Sequence, residues 1–193
     1  MIRKYDFSER MAFSRGAREN FDIQTLLAMI DGCVRVEKTD TRLDKGGVDY
    51  VATLRNGAQV LIDAKARDKG CSKYWKKNGP EVALETWSVK PDSSNNFNGK
   101  TGWTLCEKKQ TDLILFTFHP TDTMETFLVS YQMLRIAFRR HLKIWKSSGL
   151  LLATQRSDTW FSECLFVPWN RWDGIPGVED ALIAAQRGEL VMP

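Results

Sequence analysis

Histidine and cysteine are scarce in this chain of 193 residues, which contains 2 histidines and 4 cysteines. The cysteines are far apart and form no CxxC pair: Cys33, Cys71, Cys106 and Cys164. This spacing predicts free thiols and indicates neither a zinc knuckle nor a redox dithiol. The chain has only His119 and His141, so a histidine-rich metal site is excluded. Few histidines are available for a Ser-His-Asp triad.

Long apolar runs are also missing. No stretch approaches the roughly 18 apolar residues that are needed to cross a bilayer. The first residues, Met1 to Asp6, lack the apolar run of a signal peptide. We therefore expect a cytoplasmic protein without a membrane partner. A hydrophobic content of 42% suits one domain, residues 1–193, with a substantial core and no internal repeat.

Two predicted strands flank a strong hairpin signal. Residues 48–54 and 58–67 alternate between apolar and polar side chains, and Asn56-Gly57 lies between them. One face of this hairpin is predicted to belong to the core because its members are apolar: Val48, Tyr50, Ala52, Leu54, Val60, Ile62 and Ala64. The opposite face is mostly polar, so we expect it to carry chemistry or to meet solvent.

The length of the turn decides whether three charged side chains meet. A two-residue loop would place Asp49 opposite Ala64. Asp63 and Lys65 would then point to the other face. A three-residue loop with Gly57 in the left-handed conformation instead pairs Asp49 with Asp63. This second register, which the apolar alternation supports, brings both acids and Lys65 onto one surface.

These residue types suit phosphodiester hydrolysis with a divalent metal ion. Mg²⁺ prefers hard oxygen ligands and keeps several waters, so Asp49, Asp63 and the Ala64 carbonyl would be sufficient ligands. Mn²⁺ could substitute for it. Lys65 lies two residues after Asp63 and points to the same face, where its ammonium group could hold the attacking water and the phosphate.

With these residues the chain resembles the PD-(D/E)xK phosphodiesterase superfamily, which has the restriction-endonuclease-like fold and includes Holliday-junction resolvases and many phage nucleases. The resemblance covers residues 14–67. In the family, a helix with an acidic residue precedes a meander whose second and third strands provide the Asp and the (D/E)xK. Here Glu19, Asp49 and Asp63-Ala64-Lys65 stand in those places. The resemblance implies that all these residues except Ala64 are catalytic, with Glu19 assisting through water.

The match departs from the family pattern in two places. Val48 replaces the proline, and Asp22 competes with Glu19 for the role of the helix acid. Some members of the family place a further carboxylate after the lysine, and Glu85 is the candidate for it here. The helix itself is predicted over residues 14–30, ahead of a strand at residues 33–38.

A basic, aromatic segment follows the acids directly. Residues 65–77 read KARDKGCSKYWKK, with six basic residues against the single acid Asp68. The net charge of +4 and the pI near 8.9 are compatible with a polyanionic partner. We expect the segment to bind nucleic acid through its basic side chains and one tryptophan: Arg67, Lys69, Lys73, Trp75, Lys76 and Lys77.

The later half of the chain is predicted to alternate strands and helices. Strands are expected at residues 113–118, 126–131 and 163–167, and helices at residues 132–145 and 179–187. Residues 81–89 satisfy neither the helix nor the strand period, so both assignments stay open. Residues 91–99 are rich in turn formers and form the clearest loop in the sequence.

Together these features predict an α/β domain with a mixed central sheet and helices on its faces, acting as a Mg²⁺-dependent nuclease on DNA. The alternative is a catalytically inactive module, such as an accessory factor of a phage or mobile element, that keeps the fold and binds nucleic acid or a protein. The sequence does not decide between DNA and RNA or between endonuclease and exonuclease. It also leaves open whether the protein is a homodimer.

Overall fold

The computed structural model describes residues 12–13, 16–17, 21–39, 46–67, 81–91, 98–118, 125–147, 152–156 and 161–168. Its strands are β1 (Cys33–Lys38), β2 (Tyr50–Leu54), β3 (Gln59–Arg67), β4 (Glu81–Val89), β5 (Lys100–Thr101), β6 (Leu113–Phe118), β7 (Glu125–Ser130), β8 (Leu152–Arg156) and β9 (Phe161–Pro168). Its helices are α1 (Ile23–Met29), α2 (Tyr131–Ser147) and the short 3-10 helix η1 (Trp103–Leu105), and residues 12–13 and 16–17 are also helical. No helix in these ranges is long and apolar enough to cross a membrane.

The strands form two sheets. The first has the order β1-β2-β3-β6-β7, in which β3 and β6 are parallel and all other neighbours are antiparallel. The second has the order β5-β4-β9-β8 and is antiparallel throughout. The protein is therefore a mixed α/β structure with a mixed sheet, as the sequence predicts, and with a second sheet that the sequence does not predict.

Strand β6 lies at the centre of the structure, and all its residues are buried. Ile114, Phe116 and Phe118 belong to an apolar cluster that includes side chains of β4, β9 and α2. Leu113 and Leu115 belong to the opposite cluster, which includes side chains of α1, β1 and β2. The first sheet is thus covered by α1 on one face and by the second sheet and α2 on the other.

The central hairpin has the three-residue loop. The N–H of Gly57 donates to the carbonyl of Leu54 over 2.9 Å, and the N–H of Leu54 donates to the carbonyl of Ala58 over 2.9 Å. Gly57 has a φ of 84°, the left-handed conformation that this turn requires. The ladder from Leu54 and Ala58 to Tyr50 and Ile62 follows the predicted register, which is confirmed.

Other predicted elements are confirmed within a residue or two. These are the strands at residues 33–38, 113–118, 126–131 and 163–167 and the helix at residues 132–145. Residues 81–89, which the sequence left undecided, form β4. The described cysteines, Cys33, Cys106 and Cys164, are free thiols as expected.

The prediction of one continuous helix over residues 14–30 is wrong. Asp22 has an extended backbone with φ −74° and ψ 110°, and its side chain accepts a hydrogen bond from the N–H of Gln24. Asp22 is therefore the N-cap from which α1 starts. Phe21 is buried beside α1 although it lies outside the helix. Apolar residues therefore continue at helical intervals across this cap. The spacing therefore does not show the break.

The prediction that helices cover the faces of the central sheet is confirmed in part, because α1 covers one face, whereas α2 shares the other face with the second sheet. From Val82 to Trp87, strand β4 alternates between buried and partly buried residues, which is the strand period. The sequence did not show this period because apolar Ala83 and Trp87 lie on the less buried face, whereas polar Thr86 lies on the buried one. The predicted helix at residues 179–187 and most of the predicted loop at residues 91–99 lie outside the described residues.

The hairpin turn gives a first test. Gly57→Ala should destabilise the protein by about 1 kcal/mol, because a side chain in the left-handed conformation is strained. No atom lies within 4 Å of an added Cβ, so the cost is conformational and not steric. Urea unfolding would measure this change in the free energy of unfolding.

The matched control is Gly16→Ala, which also has open space and lies in helical backbone. It should be neutral or stabilising because alanine favours a helix over glycine. Equal stability of Gly57→Ala and the wild type would contradict the turn assignment.

Candidate functional site

On the polar face of β3, Asp63 is buried, whereas Gln59 at the start of the strand is exposed. In the parallel pairing of β3 with β6, Asp63 lies beside Ile114 and Lys65 lies beside Phe116. Paired residues on neighbouring strands project to the same face of a sheet. Because Ile114 and Phe116 face the second sheet, Asp63 and Lys65 face it as well. The candidate site therefore lies between two layers and not on an open surface.

Asp63 is the most buried member of the site, with a side chain that is 2% exposed. Its Oδ1 lies 2.7 Å from Nζ of Lys65, which donates a hydrogen bond to it. Its Oδ2 lies 2.7 Å from Nζ of Lys109, as an ion pair and not a well-directed hydrogen bond. Each carboxylate oxygen of Asp63 thus has its own ammonium group.

The two ammonium groups determine the charge state of Asp63. Burial raises the pKa of this carboxyl, but the positive charges of Lys65 and Lys109 outweigh burial and hold the pKa below its usual value of 3.8. Asp63 is therefore ionised at neutral pH.

Lys109 is held by a second oxygen. Its side chain is 6% exposed, and its Nζ donates to the carbonyl of Gly47 over 3.0 Å. The hydroxyl of Thr111 donates to the same carbonyl over 3.0 Å. A Cβ on Gly47 would lie 2.1 Å from Nζ of Lys109, and Gly47 has a φ of 78°. Only glycine satisfies both the backbone conformation and the space that the ammonium group takes.

The sequence interpretation missed Lys109 and Gly47. The Gly46-Gly47 pair precedes Asp49, and the Lys108-Lys109 pair precedes the apolar run of β6, so both signals are visible in the sequence. What the sequence does not show is that β6 pairs with β3, which brings the two segments together.

Asp49 lies beyond the end of β2. Its N–H donates to the carbonyl of Ile62 over 2.8 Å, whereas its own carbonyl accepts from the N–H of Thr39 over 3.0 Å. A residue within a regular strand directs both groups to the same neighbour. The backbone therefore leaves the ladder at Asp49, and the predicted direct pairing of Asp49 with Asp63 is not formed.

Asp49 nevertheless reaches β3 through its side chain. Its Oδ2 accepts a hydrogen bond from the N–H of Ala64 over 2.7 Å. In a strand the N–H and C=O of one residue point to the same side. The carbonyl of Ala64 therefore faces the side of β3 on which Asp49 lies. The predicted ligands Asp49, Asp63 and Ala64 are close neighbours at this position.

Lys65 forms the exposed end of the site. Its side chain is 31% exposed, and its Nζ lies 5.1 Å from the centroid of the Trp103 ring. An ammonium group at this distance from an indole ring is stabilised by a cation–π interaction. Asp63 and Trp103 thus fix the ammonium group between them.

Two side chains hold Trp103 in place. The hydroxyl of Tyr131 lies 2.7 Å from the carbonyl of Trp103 and 2.8 Å from that of Cys106, and it shares its proton between them. Burial raises the pKa of Tyr131 to about 12, so the hydroxyl stays a donor. Glu85, predicted as an additional carboxylate, accepts from the N–H of Trp103 over 3.0 Å and from the hydroxyl of Ser88 over 2.7 Å. Glu85 therefore contacts the backbone of the residue whose ring lies beside Lys65.

The predicted nucleic-acid contacts are described at one residue only. The guanidinium group of Arg67 lies 4.5 Å from the centroid of the Phe166 ring, so Arg67 joins the two sheets. The other predicted contacts and the predicted helix acid lie outside the described residues: Lys69, Lys73, Trp75, Lys76, Lys77 and Glu19.

No family model, curated protein or solved structure matches this chain. The site must therefore be interpreted from its own chemistry. In the described part of the chain, no group of three or more His, Cys, Asp or Glu side chains could hold a metal ion. The candidate set is smaller, with the carboxylates of Asp49 and Asp63 and the carbonyl of Ala64. Hard oxygens of this kind fit Mg²⁺, although both oxygens of Asp63 already contact ammonium groups.

The lowered pKa of Asp63 predicts how stability depends on pH. Since the carboxyl binds a proton more weakly in the folded state than in the unfolded state, its contribution is complete above about pH 5. That contribution is lost as the pH falls through the folded pKa. Thermal unfolding of the wild type and of Asp63→Asn from neutral to acid pH would measure it.

The pKa of Glu163 is also lowered, because Lys146 and Thr86 outweigh its burial, so part of the acid loss is common to both proteins. The difference between the two curves isolates Asp63. We expect the wild type to lose more stability than Asp63→Asn, and parallel curves would contradict the assignment.

Proposed function

We propose that the protein is a metal-dependent nuclease that hydrolyses phosphodiester bonds of DNA at Asp49, Asp63 and Lys65. The observation that carries the proposal is the position of Asp63 and Lys65 on one face of β3, with Asp49 bonded to the amide that follows Asp63. The arrangement of α1 followed by the antiparallel strands β1, β2 and β3 supports the resemblance to the PD-(D/E)xK superfamily.

Asp49, Asp63 and the carbonyl of Ala64 would hold Mg²⁺ or Mn²⁺. A bound metal ion neutralises charge on the phosphate and supplies hydroxide near neutral pH. Asp63 is buried in the protein interior, where the local dielectric is low. A low dielectric strengthens its interaction with any cation beside it.

Lys65 would bind the scissile phosphate and orient the attacking water. It is partly exposed, so a substrate can reach its ammonium group. Its contacts with Asp63 and Trp103 restrict its motion, which favours a fixed position for the phosphate. Tyr131 and Glu85 would support this geometry because they hold Trp103.

The positive charge of helix α2 supports the proposal of a polyanionic substrate. It starts at Tyr131, beside the site, and contains five basic residues and no acidic residue over Tyr131–Ser147. Arg135 and Arg139 contact Glu107, whereas Arg140 and Lys143 are exposed to solvent. Together with the predicted basic segment at residues 67–77, this helix would hold the DNA backbone by phosphate contacts.

A second candidate is a catalytically inactive module with the same fold. The observation that favours it is the ion pair between Lys109 and Asp63, which compensates the buried carboxylate without a metal ion. Metal binding distinguishes the candidates, because an inactive module has no need of Mg²⁺ or Mn²⁺ between Asp49 and Asp63.

Cleavage assays test the proposal most directly. Linear, circular, single-stranded and branched DNA would be incubated with the protein, with and without Mg²⁺. Lys65→Met and Asp63→Asn should each lower the rate by about 100-fold or more, since each removes a group that stabilises charge in the reaction. Lys65→Met is the safer variant for folding because its side chain is partly exposed.

Asp31→Asn and Lys108→Met are matched controls, since both replace exposed charges. They should cleave at the wild-type rate. Circular dichroism would establish that all four variants are folded. Mg²⁺-dependent cleavage at the wild-type rate by either site variant would refute the proposal.

A further inference from the structure

Lys109 is a buried lysine that the proposed reaction does not use. Its Nζ lies between two oxygens, 2.7 Å from Oδ2 of Asp63 and 3.0 Å from the carbonyl oxygen of Gly47. We propose that this ammonium group occupies a cation position of the site, and that a divalent metal ion binds there only by displacing it. The inference rests on the proposed function, because it concerns the metal site that the nuclease would use.

The surroundings of Lys109 are built for a cation at this position. Gly47 directs its carbonyl to the ammonium group, and a Cβ at Gly47 would lie 2.1 Å from Nζ. Thr111 donates to the same carbonyl and so helps to fix it. Both oxygens beside Nζ are hard ligands of the kind that Mg²⁺ and Mn²⁺ prefer.

The charges of the site require a displacement. Asp63 already contacts two ammonium groups, those of Lys65 and Lys109. A divalent ion added beside them would bring two further positive charges next to a side chain that is 2% exposed. Like charges in a poorly solvated site repel strongly, so one ammonium group must leave when the metal ion binds.

Lys109 is the group that leaves. Lys65 is held by the Trp103 ring as well as by Asp63, and it belongs to strand β3. Lys109 belongs to the segment between η1 and β6, which is not part of a strand or a helix. Its departure also uncovers the carbonyl of Gly47, which adds a hard oxygen to the predicted ligands. Metal binding is thereby coupled to the position of this segment.

Metal titration of Lys109→Met tests the inference. Calorimetric titration with Mn²⁺ should show binding about tenfold or more tighter than in the wild type, because the competing charge is gone. Lys108→Met is the matched control, since it removes an exposed lysine next in sequence, and its affinity should equal that of the wild type. Unchanged or weaker affinity in Lys109→Met would overturn the inference.

Thermal unfolding gives a second readout. Without metal, Lys109→Met should be less stable than the wild type, because Asp63 loses a buried partner. Mn²⁺ should raise the melting temperature of Lys109→Met by more than that of the wild type. If Lys109→Met does not fold, Lys109→Gln replaces it, since its amide can still donate to the carbonyl of Gly47. A Mn²⁺-induced shift in the folded variant no larger than that of the wild type would also overturn the inference.

The double variant Lys109→Met with Asp63→Asn locates the bound ion. It should lose the gain in Mn²⁺ affinity, and a gain that persists would show that the ion binds elsewhere and would overturn the inference. Failure of the proposed function is a separate result. If Asp63→Asn stops cleavage but Lys109→Met gains no affinity, the nuclease assignment stands and this inference fails; if Asp63→Asn cleaves normally, the assignment itself fails.

Discussion

The structure depends on the compensation of one buried negative charge, that of Asp63. A carboxylate removed from water costs several kcal/mol unless it is paired and hydrogen-bonded. Two lysines from different parts of the chain supply that compensation, one on the same strand and one ahead of β6. The position of β6 beside β3, the glycine at position 47 and the ionised state of Asp63 are all linked to this interaction.

The layered architecture explains why the charge is buried. The face of β3 that carries Asp63 and Lys65 is covered by the second sheet and by the short helix of Trp103. Burial keeps water away from Asp63, whereas Lys65 remains accessible at the edge. A site of this kind can hold charged groups in fixed positions at low dielectric, and preorganisation of charge is a major source of catalytic power.

The sequence predicted the parts of the site that local chain geometry determines. The Asn56-Gly57 turn and the apolar alternation specified the hairpin register, and the register determined that Asp63 and Lys65 share a face. Lys109 could not be predicted in this way, because it is 62 residues from Gly47 in the chain and meets it only through the pairing of β3 with β6. The second sheet was missed for the same reason, since β4 pairs with β9, which lies far from it in the sequence.

In the proposed cation site beside Asp63, Lys109 takes the place of a metal ion. Anomalous diffraction from crystals soaked in Mn²⁺ would locate the bound ion and the displaced side chain. We expect a manganese peak bounded by Asp63 and Gly47, with the ammonium group of Lys109 withdrawn from Oδ2. A manganese ion bound away from Asp63, or one bound there with Lys109 still in its present ion pair, would rule out the displacement.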